Sequence, residues 1–368
     1  MLRVLQVIEG LYAGGMESML MNYFRNFKCG EIVYDFLVFS PKAHFDNEVE
    51  ALGGRIFRLT PRRKNPLKNY YELWCFFKKH PEYQIVQIHQ GVTYFAPHIF
   101  CNLAHVRHII SHTHGMNPDW IRRQGSFFGL VTQRLIKNLA NEYIACSKSA
   151  AHQIFPSSIS ECGGYTLMNN AIDIKRFYYN ETKRINKRKE LGVDQFHVIG
   201  HVGNFTYPKN HLFLIKVFNK VTKKDDSAML LLVGEGVGKQ NIIDLVDELG
   251  LREKVKFLGN RSDVDELLLA FDMFFFPSYY EGLPVSLIEA QATGIHCVVS
   301  DTITREVEVT PNIKYLSLND NIDTWVNSLL DFNYLRSDEG QRITAAGYNI
   351  ECEVEKITRF YKSLDNKC

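Results

Sequence analysis

The chain has 368 residues, 45% hydrophobic and 23% charged, with a formal net charge of +2. That length exceeds what one hydrophobic core usually serves, so two domains are expected, and the near-balanced charge gives no sign of a nucleic-acid partner. The eight cysteines form neither a Cys-x-x-Cys pair nor a zinc-finger spacing, which fits reduced thiols inside a cell, most of them small core residues. Met1 leads directly into an apolar run with no signal-peptide pattern, and no stretch is long enough to cross a bilayer, so a cytoplasmic protein is expected.

A strand over residues 2–8 is followed by a loop carrying Gly10, Gly14 and Gly15, then a helical pattern over 18–27. The glycines do not have the spacing of a dinucleotide fingerprint. Strand, helix and strand patterns then alternate over 34–39, 45–52 and 55–59, which implies a parallel sheet covered by helices. Arg62, Arg63, Lys64 and Lys68 lead into a helix over 69–79 with Tyr70, Tyr71, Trp74, Phe76 and Phe77. A basic loop before such a helix suits an anionic membrane surface, with Trp74 or Phe77 at the interface. A solvated loop and a core-facing stripe give the same pattern.

A strand over 85–89 turns at Gly91 into a helix reaching Ala104, and a strand over 107–111 ends in His112-Thr113-His114-Gly115. The two histidines are read as turned to opposite sides, and therefore as sharing no metal unless the strand ends between them. A strand over 140–145 precedes Ser147, which is placed to cap the next helix. The charge run over 182–190 reads as a solvated helix in the linker region.

The second half opens with a strand from Val198 that gives way to Gly203 and Asn204, with Lys209 at the next helix start. An ammonium group and backbone N–H groups then meet at one point, which makes an anion site. A strand over 228–233 leads to Gly234-Glu235-Gly236, and one over 255–258 to Gly259-Asn260-Arg261. Ser262 and Asp265 before the helical run 267–271 read as a helix cap, in preference to the metal-binding Asp-x-Asp that Asp263 and Asp265 would also spell.

Residues 273–276 are an apolar run of the kind a strand buried on both faces needs, and Pro284 suits a helix's first turn. Glu281 then lies in the loop and Glu289 a little over one turn into the helix, so two carboxylates flank one helix N-terminus. Unpaired N–H groups and the positive end of the helix dipole suit a phosphate there, and the carboxylates suit neighbouring hydroxyls. A strand over 295–300, helices over 322–330 and 339–346, and an amphipathic helix over 351–364 complete the chain.

The stretch Glu281-Gly282-Leu283-Pro284, followed by Glu289, Ala290, Ala292, Gly294 and an apolar strand, resembles the signature of the retaining glycosyltransferases of family 4. Those enzymes have the GT-B fold and a Glu-x7-Glu motif, and the resemblance extends over essentially the whole chain. It implies an α/β architecture of two Rossmann-like, doubly wound domains facing across a cleft. Residues 1–175, completed by a C-terminal helix over 351–368, would bind the acceptor, and residues 176–350 the sugar nucleotide. By resemblance, Glu289 holds the ribose hydroxyls and Glu281 the transferred hexose. Gly282, Leu283, Pro284 and Lys209 hold the diphosphate, with Gly14 and Gly15 against it from the other domain. Gly203, Gly234 and Glu235 match donor-side positions, Asn260 and Arg261 fall in the base-contacting loop, and the 167–177 segment resembles a family element with Ala171 in place of glycine. His114 matches a family histidine near the transferred sugar, with His112 in reserve on the same acceptor side, and Glu281, His114 and Lys209 form the implied catalytic group.

One position departs from the family: Asn204 stands where it has an arginine. Losing that guanidinium removes roughly 1.5 to 3 kcal/mol of charge-assisted hydrogen bonding. The implied activity is transfer of a hexose, with retention, from a nucleotide-diphosphate sugar, a UDP-sugar first among them. The acceptor would be a glycan or lipid-linked sugar in surface polysaccharide synthesis, reached at the inner face of the membrane, with no cofactor and no metal. Two other readings stay open: a GT-B epimerase of sugar nucleotides, and a catalytically silent GT-B subunit, which Asn204 favours.

Overall fold

The structure, a computed structural model, describes residues 1–12, 14–89, 94–115, 127–331 and 336–366. The turn expected at Gly91 lies outside them. The chain divides into two compact units, one of Met1–Ala171 with Ile350–Cys368 and one of Ile172–Asn349.

The first unit is built on strands β1 (Leu2–Ile8), β2 (Ile32–Val38), β3 (Ile56–Arg58), β4 (Ile85–Ile88), β5 (His108–Thr113), β6 (Glu142–Ala145) and β7 (Thr166–Leu167). They form one sheet in the order β3-β2-β1-β4-β5-β6-β7, and every pairing is parallel. β1 shows why: Val4 and Ile8 enter one apolar cluster while Leu5 and Val7 enter another, as the two-residue period of a strand covered on both faces requires. Gln6 shares the face of Val4 and Ile8. The helix Ile350–Asp365 covers that face, placing Ile350, Val354, Ile357, Tyr361 and Leu364 in the same cluster at helical spacing.

The second unit repeats the plan with β8 (His197–Val202), β9 (Ala228–Val233), β10 (Val255–Gly259), β11 (Met273–Phe276), β12 (His296–Ser300) and β13 (Ile313–Leu316), in the order β10-β9-β8-β11-β12-β13. All pairings are again parallel. β11 is the buried strand its sequence promises: Phe274 and Phe276 join one core cluster, Met273 and Phe275 the other. In each sheet the strand order reverses once, between β1 and β4 and between β8 and β11. Ligands of doubly wound sheets bind outside the carboxyl ends of the strands at such switch points.

Several sequence expectations need correction. The 182–190 run is a helix, Glu181–Leu191, but it is not simply solvated, because Lys187 and Arg188 are buried. Lys187 pairs with Glu190, Asp263 and Glu266 at 2.7–2.9 Å, and Arg184 and Arg188 both pair with Asp272. The charges are complementary to others brought in from the helix Val264–Ala270 and the loop before β11. The N-cap of Val264–Ala270 is Asp263, not Ser262, and its carboxylate is taken by Arg261 and Lys187 and caps no amide. Pro284 is the N-cap of Val285–Ala292, one position before the first turn. In the helix Pro66–Lys79, Phe76 and Phe77 are core residues, so Phe77 is withdrawn from any interface. Leu67 (80% exposed) and Tyr71 (69%) face solvent there. Of the cysteines described, Cys101, Cys146 and Cys297 are buried but Cys29, Cys162 and Cys352 are exposed, so they are not mostly core residues. Ser147 caps its helix, its hydroxyl accepting from the Ala150 amide at 3.0 Å. Among the described residues no helix is long and apolar enough to cross a membrane.

Candidate functional site

The second unit's switch point lies between the loops that follow β8 and β11. These loops are tied together: the Tyr279 amide donates to the Pro208 carbonyl at 2.8 Å, the Asn210 side chain donates to the Pro277 carbonyl at 3.0 Å, and the Tyr207 and Tyr279 rings stack at 5.0 Å. The tie brings Lys209 and Glu281 into an ion pair, with Nζ 2.7 Å from Oε1. Both side chains are largely shielded, and the Lys209 ammonium also sits 4.6 Å from the centroid of the Phe276 ring. A low-dielectric wall strengthens both interactions. A carboxylate and an ammonium held side by side suit a ligand that carries both hydroxyls and anionic oxygens.

Backbone contact of the β8 and β9 loops explains the glycines at this end of the sheet. Gly234, at φ +138°, lies so close to Gly203 that a Cβ would strike the Gly203 carbonyl oxygen. At Gly203 itself a Cβ would stand 3.1 Å from Cδ and Cε of Lys209, so its absence leaves the lysine stem room to cross the loop. Glu235 holds Lys239 at 2.6 Å, and Asn204 is exposed beside Gly203. Asn260 is exposed, while the Arg261 guanidinium is bound by Asp263 at 2.6–2.7 Å. Arg261 is therefore engaged within the unit, and a base at this loop would have to compete with that carboxylate.

The helix Val285–Ala292 starts at the end of the β11 loop, with Leu283 and Pro284 buried and Gly282 exposed ahead of it. Glu289 retains some accessible area, yet dense packing pushes its carboxyl up to about 7. Burial is the larger cause; the Arg176 charge opposes it and Asp265 adds to it. Arg176 itself pairs with Asp265 at 3.0 Å. Arg176 lies in the 167–177 segment, where the sequence alone gives it no role. Its signal was a basic residue shortly after an expected domain boundary, which nothing local connects to a glutamate more than a hundred positions away.

In the first unit Gly14 is the N-cap of the helix Gly15–Asn26, which starts earlier than its apolar pattern indicates. The Glu17 carboxylate lies over Gly14, where a Cβ would strike Oε2, and burial raises the pKa of that carboxyl. An anion at Gly14 and Gly15 would meet this carboxylate.

The expectation that His112 and His114 face apart is overturned. Strand side chains two positions apart project to one face, and β5 ends at Thr113, between the two residues. Their rings lie 4.1 Å apart by centroid, and His89 joins them, 4.7 Å from His112 and 5.1 Å from His114. Ile88 of β4 pairs with Ser111 of β5, so the next residues, His89 and His112, fall side by side. Nδ1 of His89 lies 2.8 Å from Nε2 of His114, and Nε2 of His89 donates to the side-chain amide oxygen of Gln6 at 2.7 Å. Gln87 contacts Nδ1 of His112 at 2.8 Å. Burial lowers all three histidine pKa values, that of His114 to about 3, so the rings are neutral at pH 7.

The structure thus joins Lys209 to Glu281, Gly203 to Gly234, and His112 to His114. It gives Glu289 a charged neighbour in Arg176, and it adds His89 and Gln6 to the histidine pair. The helix start and dipole beside Glu281 and Glu289 can receive an anion, and the first unit's imidazoles offer nitrogen lone pairs.

The family described as "Glycosyl transferases group 1" matches residues 183–348, most of the second unit. EpsF, named as a presumed glycosyltransferase of Bacillus subtilis (strain 168), is 32% identical over 335 residues, covering 89% of this chain and 86% of its own. The UDP-Gal:alpha-D-GlcNAc-diphosphoundecaprenol alpha-1,3-galactosyltransferase of Escherichia coli is 26% identical over 315 residues, covering 80% of this chain and 79% of its own. Among solved structures, HepE of Anabaena in complex with UDP and glucose superposes with a TM-score of 0.79 at 18% identity, over 99% of this chain and 100% of that one. Two parallel-sheet α/β units with the same strand order, a paired lysine and glutamate at the second switch point, and a relative alike over nearly the whole length lead to one assignment. The chain belongs to the group 1 glycosyl transferases and has their GT-B fold.

Proposed function

We propose that this glycosyltransferase is a retaining, family 4 type hexosyltransferase that takes its sugar from a UDP-hexose and passes it to a lipid-linked or glycan acceptor in surface polysaccharide synthesis. The observation that carries the reading is the Lys209–Glu281 pair at the second unit's switch point, one short loop ahead of the helix that bears Glu289. The nucleotide and acceptor classes are supported by the E. coli relative, named for UDP-Gal and a diphosphoundecaprenol acceptor, and by HepE with UDP and glucose.

In this reading the ribose hydroxyls donate to Glu289 and a hexose hydroxyl to Glu281, while the diphosphate lies against Lys209 and the N–H groups around Gly282 to Pro284. As the bond from the sugar to the diphosphate breaks, negative charge grows on the leaving oxygens. Lys209 is already held in place by Glu281 and Phe276, so it stabilises that charge without reorganising. The fixed ammonium and the helix N-terminus perform the task that a metal ion performs in other sugar transferases, and the donor half needs no ion.

A thermal-shift screen against UDP-, GDP- and ADP-sugars tests the nucleotide assignment. UDP-sugars are expected to raise the melting temperature, by a stabilisation of about 2.7 kcal/mol at 100 times the dissociation constant. A shift with GDP- or ADP-sugars alone would overturn the choice of base, and no shift with any of the three would remove the donor site.

A further inference from the structure

We propose that Gln6 and His89 are positioning residues for His114: they hold its ring in the one tautomer whose Nδ1 is a bare lone pair, so that His114 meets a sugar hydroxyl as a hydrogen-bond acceptor. The tautomer stands on the geometry of the first unit alone. The sugar as its partner rests on the transferase reading above.

Five polar side chains share one face of three adjacent strands: Gln6 of β1, Gln87 and His89 at the end of β4, and His112 and His114 at the end of β5. Strand alternation sets them on the side of Val4, Ile85 and Ile110, which is otherwise an apolar cluster. Buried polar groups are costly there unless they are bonded. The bonds they make run in a fixed direction, because a neutral imidazole donates from one nitrogen and accepts at the other. The Gln6 amide oxygen can only accept, so Nε2 of His89, 2.7 Å away, carries the proton and Nδ1 of His89 is a lone pair. Nε2 of His114, 2.8 Å from that lone pair, must then donate. Nδ1 of His114 is left unprotonated. It has no hydrogen-bond partner among the described residues, and His114 is partly accessible.

The direction is set from both ends. Gln6 lies close enough to the Tyr361 hydroxyl to favour the ionised tyrosine, as a donor does, though its amide nitrogen is outside full hydrogen-bond geometry. The Tyr361 proton already goes to the Gln87 oxygen at 2.5 Å, so a reversed Gln6 amide would set oxygen against an oxygen with no proton to give. Burial keeps His89 and His114 neutral, the latter with a pKa of about 3, so neither ring gains the second proton that would erase the direction. Gln87 treats His112 differently: its oxygen is taken by Tyr361, so its nitrogen donates to Nδ1 of His112 at 2.8 Å. The His112 lone pair is thereby occupied, and of the two histidines only His114 offers one outward. An acceptor-only nitrogen takes a proton from a hydroxyl and repels a phosphate oxygen, so it suits the sugar and not the diphosphate.

The test is long-range ¹H–¹⁵N spectroscopy of the full chain labelled with ¹⁵N-histidine, with signals assigned from His89→Gln and His114→Gln. The wild type at pH 7 is expected to show protonated Nε2 and bare Nδ1 for both His89 and His114. Gln6→Met, of similar length without the acceptor oxygen, should abolish the single tautomer at both rings. It should lower kcat for hydrolysis of UDP-glucose or UDP-galactose by about 2- to 10-fold, the range for one lost hydrogen bond, and leave the affinity for UDP unchanged. A protonated Nδ1 on His114 in the wild type would overturn the proposal, which is therefore decided even if Gln6→Met does not fold. A folded Gln6→Met that keeps the wild-type tautomer, or that loses it at full kcat, would overturn it as well. A wild type that turns over neither sugar nucleotide would count against the transferase reading instead, and the spectra would still decide the tautomer.

Discussion

Lys209→Ala is expected to lower turnover of the sugar nucleotide by about 10²- to 10³-fold, the usual loss when one preorganised charge-stabilising group is removed from a leaving-group site. Lys209 is the only lysine or arginine between Gly203 and His211, because Asn204 stands where the family has an arginine. No second cation in that loop compensates. The substitution also leaves the shielded Glu281 carboxylate without the partner it holds at 2.7 Å, which repels an incoming diphosphate. Asn204→Ala removes an exposed neutral side chain and should cost far less. Steady-state kinetics of the two variants decide the point: comparable kcat and KM values would take this loop out of the diphosphate site.

Asp272→Ala is expected to destabilise the second unit by about 3–5 kcal/mol, the cost of breaking a shielded ion pair from one side. Asp272 accepts from Arg184, from Arg188 at 3.0 Å and from the Val198 amide at 2.7 Å, so it ties the helix Glu181–Leu191 to the start of β8. Without it two guanidinium groups lose their carboxylate, though each keeps carbonyl partners. Burial raises the Asp272 carboxyl, but Arg184, the Val198 amide and Arg188 together outweigh it and hold the pKa below the ordinary value. Its stabilisation is therefore complete above the unfolded pKa near 4 and is lost as pH falls through the lower folded value. Urea unfolding of the wild type and the variant at neutral pH measures the difference. A loss under about 1 kcal/mol would show that Asp272 is not the tie described.

The parts of this fold legible in the sequence are those whose signal is local. Four consecutive apolar residues in β11 announce a strand buried on both sides, Ser147 announces its helix, and the alternation of strand and helix patterns announces parallel sheets. Asn204 stands out only against a family pattern, since nothing in its own neighbourhood marks it. What the sequence hides depends on pairing between distant strands. His89 and His112 become neighbours only through the register of β4 with β5, and His114 joins them because it stands two positions after His112, on the same side of the strand's end. Lys187 and Arg188 look solvated because charge runs usually are, and their acidic partners other than Glu190 lie more than seventy positions downstream. Phe77 and Tyr71 belong to one aromatic-rich helix, and only the packed structure assigns one to the core and the other to solvent.

The central claim is that the second unit holds a sugar nucleotide with two carboxylates of separate duty, Glu289 on the ribose and Glu281 on the hexose. Burial raises the Glu289 carboxyl to about 7, so below that pH it is protonated and accepts more weakly from ribose hydroxyls; affinity for UDP should fall as pH drops from 8 to 6. The most direct measurement is titration calorimetry of UDP and of a UDP-hexose into the wild type, Glu289→Ala and Glu281→Ala. The account predicts that Glu289→Ala weakens both ligands by a similar factor and abolishes the pH effect, whereas Glu281→Ala weakens the UDP-hexose and leaves UDP close to wild type. Equal losses in the two variants for free UDP, or wild-type affinity for both ligands in Glu289→Ala, would contradict it.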